Sequence, residues 1–334
     1  TQNDVYLMAS SGTGGMEASV CNLLSAGDKA ITVEGGKFGE RWTEICQAFG
    51  VQTHVIKVEW GQSVQAQQIK KVLDQDKTIK AVFITHCETS TGVTTDIKAI
   101  GQVVKNTNAV LVVDAVSSLG VIDLKTDEWN VDIVASASHK GFMLPPGLAF
   151  ASVSPKAWKL IGTCKTPRYY FDFRKAKEAW GDTDTAFTPA ISIVIGLTES
   201  LKRMKKMGLE PLFAYFARLA QGTRVAAKAL GLKVFPQDNC VSNVLTAIVL
   251  PAQIDGNKLV KTMRDKYGVT VAGGQGQLKG KVVRFAHMGC LTEKDLIEGI
   301  ACFEKVLQEM GYSFPAGSGV QAAQKFFEQP AVAV

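Results

Sequence analysis

Apolar runs of strand length alternate with stretches of helical spacing throughout residues 5–207, and this rhythm constrains the fold more than anything else in the sequence. Strands are expected at 5–9, 29–34, 52–58, 80–86, 109–114, 131–137 and 148–153, with helices at 15–25, 39–49, 64–73, 97–105 and 190–207 among them. The runs Ala81-Val-Phe-Ile84 and Ala109-Val-Leu-Val-Val113 do not alternate with polar residues, so both faces of such strands must be covered. Regular alternation of that kind predicts an α/β fold, a mostly parallel sheet with helices on both sides. Ligand chemistry in such sheets gathers at the carboxyl ends of the strands.

The pattern changes later in the chain. A long amphipathic helix at 210–229, strands at 243–250 and 282–287, and helices at 255–267 and 293–310 predict a smaller α+β unit. The expected division is a large domain at 1–207 and a small C-terminal domain at 208–334, with the boundary near Gly208. The short apolar tail 330–334 is expected to fray. Thr1 is not Met, so an N-terminal part of the gene product is expected to be missing.

Composition narrows the function classes. The chain has 334 residues, 46% hydrophobic and 20% charged, enough to bury a large core. Its net charge of +6 is mild, and the 37 Lys and Arg are scattered rather than blocked with aromatics, which argues against nucleic acid as a partner. No apolar run approaches a membrane span, and no signal peptide opens the chain. Seven widely spaced cysteines without a C-x-x-C pair argue for a reducing compartment, with cytoplasm the expected location, and against a disulfide framework or a zinc site.

Four strand-end signals carry chemistry. Lys140 follows the run Val131 to Ala137, which is apolar or small except for Asp132, and precedes Gly141 and Pro145-Pro146-Gly147. An amine at the mouth of a buried strand is pushed toward its neutral, nucleophilic form, the form that makes a Schiff base; the alternative is a lysine snorkelling at a strand end. Ser11-Gly12-Thr13-Gly14-Gly15 follows a strand and opens a helix, which suits a phosphate, the alternative being a tight turn without a ligand. It is neither a Walker loop nor a G-x-G-x-x-G fingerprint. Asp114 ends an apolar strand, where a carboxylate holds a proton on a ring nitrogen or else caps a loop. Thr85-His86-Cys87-Glu88-Thr89-Ser90-Thr91-Gly92 brings hydroxyls to another strand end. His86 and Cys87 are adjacent strand residues that point to opposite faces, so a thiol–imidazole pair is not expected.

Taken in order, the motifs at 11–18, 85–92, 114–120, 138–141 and 145–147 resemble the class V, fold-type I pyridoxal-phosphate aminotransferases. The chain is most similar to their alanine–glyoxylate and serine–glyoxylate branch, including cyanobacterial members once labelled the small subunit of a soluble hydrogenase. The likeness covers nearly all of 1–312. It implies a further N-terminal segment with a Gly-Pro loop and a His-Arg motif. It also implies pyridoxal 5'-phosphate bound covalently to Lys140, with the phosphate held by Gly12, Thr13, Gly14, His139 and Thr188 of a neighbouring subunit. Asp114 would pair with the pyridine nitrogen beside Val116, Thr89 would approach the phenolic oxygen, and Phe38 would stack on the ring. Arg284, in an apolar strand, would grip the substrate carboxylate. Where some relatives place a Tyr just before the Thr188 position, this chain has Thr185-Ala186-Phe187.

The implied activity is ping-pong transamination between a small amino acid, serine or alanine, and glyoxylate or pyruvate, in a homodimer with a shared site. Two other functions stay open on the residues. One is a pyridoxal-phosphate lyase of the cysteine-desulfurase kind, for which Cys290 is the candidate nucleophile. The other is a non-catalytic subunit of a redox complex.

Overall fold

The computed structural model describes residues 1–330; of the tail at 330–334 that was expected to fray, 331–334 lie outside the described residues. Two compact units form: residues 1–59, 63–88 and 94–207, and residues 60–62, 89–93 and 208–334.

In the first unit the elements run β1 (Val5–Ser10), α1 (Gly12–Leu23), β2 (Lys29–Glu34), α2 (Lys37–Ala48), β3 (Gln52–Lys57), α3 (Ala66–Gln75) and β4 (Ile79–Thr85). They continue with α4 (Ile97–Val104), β5 (Val110–Asp114), β6 (Ile133–Ala137), β7 (Gly147–Val153), α5 (Pro155–Ile161), α6 (Phe173–Gly181) and α7 (Ile191–Met207). The seven strands make one sheet in the order β1-β7-β6-β5-β4-β2-β3. Neighbours from β6 through to β3 pair in parallel, and β7 runs antiparallel to both β6 and β1. The expected mostly parallel sheet is therefore present.

Side-chain alternation explains why both faces are buried. Ala81 and Phe83 of β4 point into a core with Met16 and Val20 of α1 and Trp42 and Cys46 of α2. Val82 and Ile84 of the same strand point into a second core with Ile69 and Val72 of α3 and Ile97 and Ile100 of α4. Helix α1 begins at Gly12, earlier than the expected residue 15, so the glycine run is its first turn and not a loop ahead of it. Packing outweighs the helix penalty of glycine there. A Cβ on Gly12 would lie 2.6 Å from Val116 Cγ2, and one on Gly14 would lie 1.8 Å from Ser10 Oγ.

In the second unit α8 (Leu209–Ala229), β8 (Leu245–Val249), α9 (Gly256–Tyr267), β9 (Ala272–Gly273), β10 (Val282–Ala286), α10 (Glu293–Glu309) and α11 (Ser318–Glu328) follow one another. Its sheet is antiparallel, in the order β8-β10-β9. Val283 and Phe285 face a core with Leu259, Met263 and Phe303, which turns Arg284 to the other face of β10.

Candidate active site

The parallel strands of the first unit deliver their following residues to one edge of the sheet. Ser11 and the first turn of α1 follow β1, and Gly36 and the first turn of α2 follow β2. His86 follows β4, Asp114 ends β5, and His139 and Lys140 follow β6.

Asp114 is 4% exposed, and its Oδ1 accepts a hydrogen bond from Val116 N at 2.9 Å. Its carboxyl is pushed up from the usual 3.8 to about 7. Burial is the main cause; the Val116 N–H opposes it, the Glu88 carboxylate adds to the rise, and Arg41 and Lys140 offset it. Lys140 is half-buried and lies within the electrostatic reach of both Asp114 and His139. His139 is held below its ordinary value by burial first and by the Lys140 charge second, and its Nδ1 is buried without a hydrogen-bond partner.

The first turn of α2 is fixed from outside the helix. Its N-cap, Gly36, has no side chain to offer, and Glu88 takes over: Oε2 accepts from Phe38 N and Gly39 N, each at 2.9 Å. A Cβ on Gly39 would come 2.3 Å from Val33 O, so this residue lets α2 approach the end of β2. Arg41, one turn on, donates from Nη1 to Thr13 Oγ1 at 3.0 Å and sits over the Phe38 ring, 4.8 Å from its centroid. Neither Glu88 nor Arg41 is assigned a role by the sequence. The available signals are a carboxylate in the buried 85–92 stretch and a cation one helical turn after Phe38.

In the second unit Arg284 is half-buried; its Nε donates to Gly273 O at 2.8 Å, and its Nη1 donates to the carbonyl of Thr89, itself 5% exposed. Thr188 joins neither group. It is exposed in the segment between α6 and α7, one residue past Phe187, whose ring stacks on Tyr170 at 4.8 Å. His86 is 3% exposed, and burial lowers its imidazole to about 4. Cys290 is exposed between β10 and α10.

The model of the "Aminotransferase class-V" family matches residues 2–291. The chain belongs to the class-V aminotransferases. It is 43% identical to the "Soluble hydrogenase, small subunit" of Synechococcus sp. (strain PCC 6716), over 97% of this chain and 85% of that one. It is 39% identical to the L-aspartate–glyoxylate aminotransferase of Paracoccus denitrificans, over 100% of this chain and 85% of the relative. Among solved structures, the ureidoglycine–glyoxylate aminotransferase of Bacillus subtilis superposes with a TM-score of 0.95 at 28% identity, covering 98% of this chain and 86% of that one.

Class-V aminotransferases share the fold-type I architecture and depend on pyridoxal 5'-phosphate. The residues present fit that group. A dry carboxylate answered by one backbone N–H complements a protonated ring nitrogen, and a buried imidazole Nδ1 without a partner suits a ligand oxygen or N–H. The opening turn of α1 presents backbone N–H groups with the positive end of the helix dipole. Among the described residues no helix is long and apolar enough to cross a membrane.

Proposed function

We propose that this class-V aminotransferase moves an amino group from serine or alanine to glyoxylate or pyruvate, with Lys140 as the residue that carries the cofactor. The observation that carries the reading is a buried carboxyl at the end of β5, answered by one backbone N–H, together with a lysine beyond the end of the neighbouring strand β6. The glyoxylate acceptor is supported by the names of relatives in the same family. The Paracoccus name brings aspartate in as a competing donor.

When bound, pyridoxal phosphate supplies the carbonyl that takes up the amino group and a ring that draws electron density from the substrate Cα. Asp114 would pair as a carboxylate with the protonated ring nitrogen, a role its buried setting with a single backbone N–H supports. With the cofactor bound, Lys140 would be the base that takes the Cα proton of the amino donor and delivers it to the cofactor within the same half reaction, and the opposite half reaction would run that transfer in reverse. Arg284 binds the α-carboxylate through paired guanidinium hydrogen bonds and thereby aims the Cα–H. Gly12, Thr13, Gly14 and His139 would hold the phosphate, Phe38 would stack on the ring, Val116 would stand beside Asp114, and Thr89 would lie toward the phenolic oxygen.

The reading includes a homodimer in which Thr188 of one subunit completes the phosphate seat of the other. The apolar residues left exposed on α7 support it: Ile191 is 62% and Ile195 63% exposed. Division into a large domain at 1–207 and a small one at 208–334, and a cytoplasmic location, belong to the same proposal.

Specific rates for serine, alanine and aspartate, each against glyoxylate and pyruvate, test the substrate assignment. Borohydride reduction should fix the cofactor to the peptide containing Lys140. A Lys140→Ala variant with undiminished turnover overturns the proposal. The lyase reading survives only if cysteine releases sulfide and Cys290→Ala abolishes that release.

A further inference from the structure

A phosphate ester is a dianion at neutral pH, and the first turn of a helix offers about half a unit of positive charge. Burial and the neighbouring Lys140 charge hold His139 below its ordinary value, so the imidazole adds a dipole but no full charge. Arg41 is a cation that reaches the opening turn of α1 from a different element. Its Nη1 donates to Thr13 Oγ1 at 3.0 Å. A hydroxyl that accepts from a guanidinium leaves its own proton free to donate elsewhere. The Thr13 side chain is thereby oriented as a donor, in the turn that opens toward the sheet edge. The reach of Arg41 is itself fixed, because Glu88 holds Phe38 N and Gly39 N and the Phe38 ring lies against the guanidinium.

We propose that Arg41 is a positioning residue for the phosphate group of the cofactor. It presents the Thr13 hydroxyl proton to a phosphate oxygen and contributes a full positive charge behind it. This rests on the reading of the 12–14 turn as the phosphate seat.

Cofactor-free protein titrated with pyridoxal 5'-phosphate and with pyridoxal, followed by absorbance, separates the phosphate contribution from everything else. Wild type should bind the phosphorylated form far more tightly. In Arg41→Met that preference should fall about tenfold or more, while pyridoxal binding stays within about twofold. Arg41→Lys, which keeps the charge and loses the planar fork, should restore part of the preference. Thr13→Val should lose a smaller factor, and the double variant should lose less than the product of the two single losses, since the hydroxyl route is shared and only the charge of Arg41 is lost separately.

Equal loss of pyridoxal and pyridoxal phosphate in Arg41→Met overturns the proposal by assigning Arg41 to the Phe38 ring. Losses that multiply independently in the double variant overturn the route through Thr13. A wild type that does not distinguish the two ligands refutes the phosphate seat as well, whereas a discriminating wild type with an equally discriminating Arg41→Met refutes the role of Arg41 alone. Should Arg41→Met fail to fold, Arg41→Lys and Thr13→Val carry the same comparison.

Discussion

Asp114→Asn should make the cofactor-free protein more stable above neutral pH while crippling it as an enzyme. In the unfolded chain this aspartate titrates near its ordinary value; in the folded chain it titrates at about 7, chiefly because it is buried. Between those two values the folded state binds more protons than the unfolded state, so stability falls as pH rises through the window. A rise of about three pH units at about 1.4 kcal/mol each amounts to ~4 kcal/mol, absent below pH 4 and complete above pH 7. Asparagine is isosteric, keeps an oxygen for the Val116 N–H, and carries no charge to desolvate. Urea midpoints of the two cofactor-free proteins, taken from pH 4.5 to 8.5, should nearly coincide at the acid end and separate in favour of the variant at the alkaline end. Adding pyridoxal phosphate should close the gap, because a ring N–H gives the wild-type carboxylate its partner. Turnover of the variant should fall, since an amide does not hold the ring nitrogen protonated. Parallel pH profiles for the two proteins, or a wild type that gains on the variant as pH rises, would refute the reasoning.

Three further outcomes follow from the geometry. Glu88→Ala leaves the N–H groups of Phe38 and Gly39 without their acceptor and should cost about 2–4 kcal/mol in urea unfolding, whereas Glu88→Gln should cost under about 1; equal tolerance of both would remove the capping role. Arg284→Gln should raise KM for both amino donor and 2-oxo acid about 10- to 100-fold while the visible band of bound cofactor persists, and an unchanged KM would free Arg284 of the carboxylate. Ile195→Asp, on the exposed face of α7, should shift the sedimenting species toward monomer with loss of turnover; a wild type fully active as a monomer would sink the shared site.

The sheet was legible because its strands are buried on both faces, so that Ala81 to Ile84 and Ala109 to Val113 read as unbroken apolar runs. The start of α1 was not, because Gly12, Gly14 and Gly15 are poor helix formers read alone, and it is their packing against Val116, Ser10 and Ala149 that places them in a helix. Short elements such as α5 and β9 fall below the length at which periodicity speaks. At the site, Lys140, Asp114 and the 12–14 turn stand out because each breaks an apolar run at a strand end. Glu88 and Arg41 do not, since what defines them is a hydrogen bond to a residue 49 or more positions away in one case and 28 in the other. No local pattern encodes such a partner.

Two buried aspartates of the first unit show how structure separates roles that residue type leaves equal. Asp132 is 7% exposed, yet it accepts from Leu111 N at 2.9 Å and from Ser154 Oγ at 2.7 Å, with Lys156 Nζ at 3.8 Å. Its lone pairs are answered from β5 and from the start of α5, and it ties those elements together. Asp114 is as dry and receives one backbone N–H. A folded protein keeps so poorly compensated a carboxylate at a strand end only at the expense of stability, and burial correspondingly raises its affinity for protons. The imbalance has a chemical use where a ligand arrives carrying an N–H to be held protonated, and it is this unmet demand, more than the residue type, that supports the proposed placement of the cofactor at this end of the sheet.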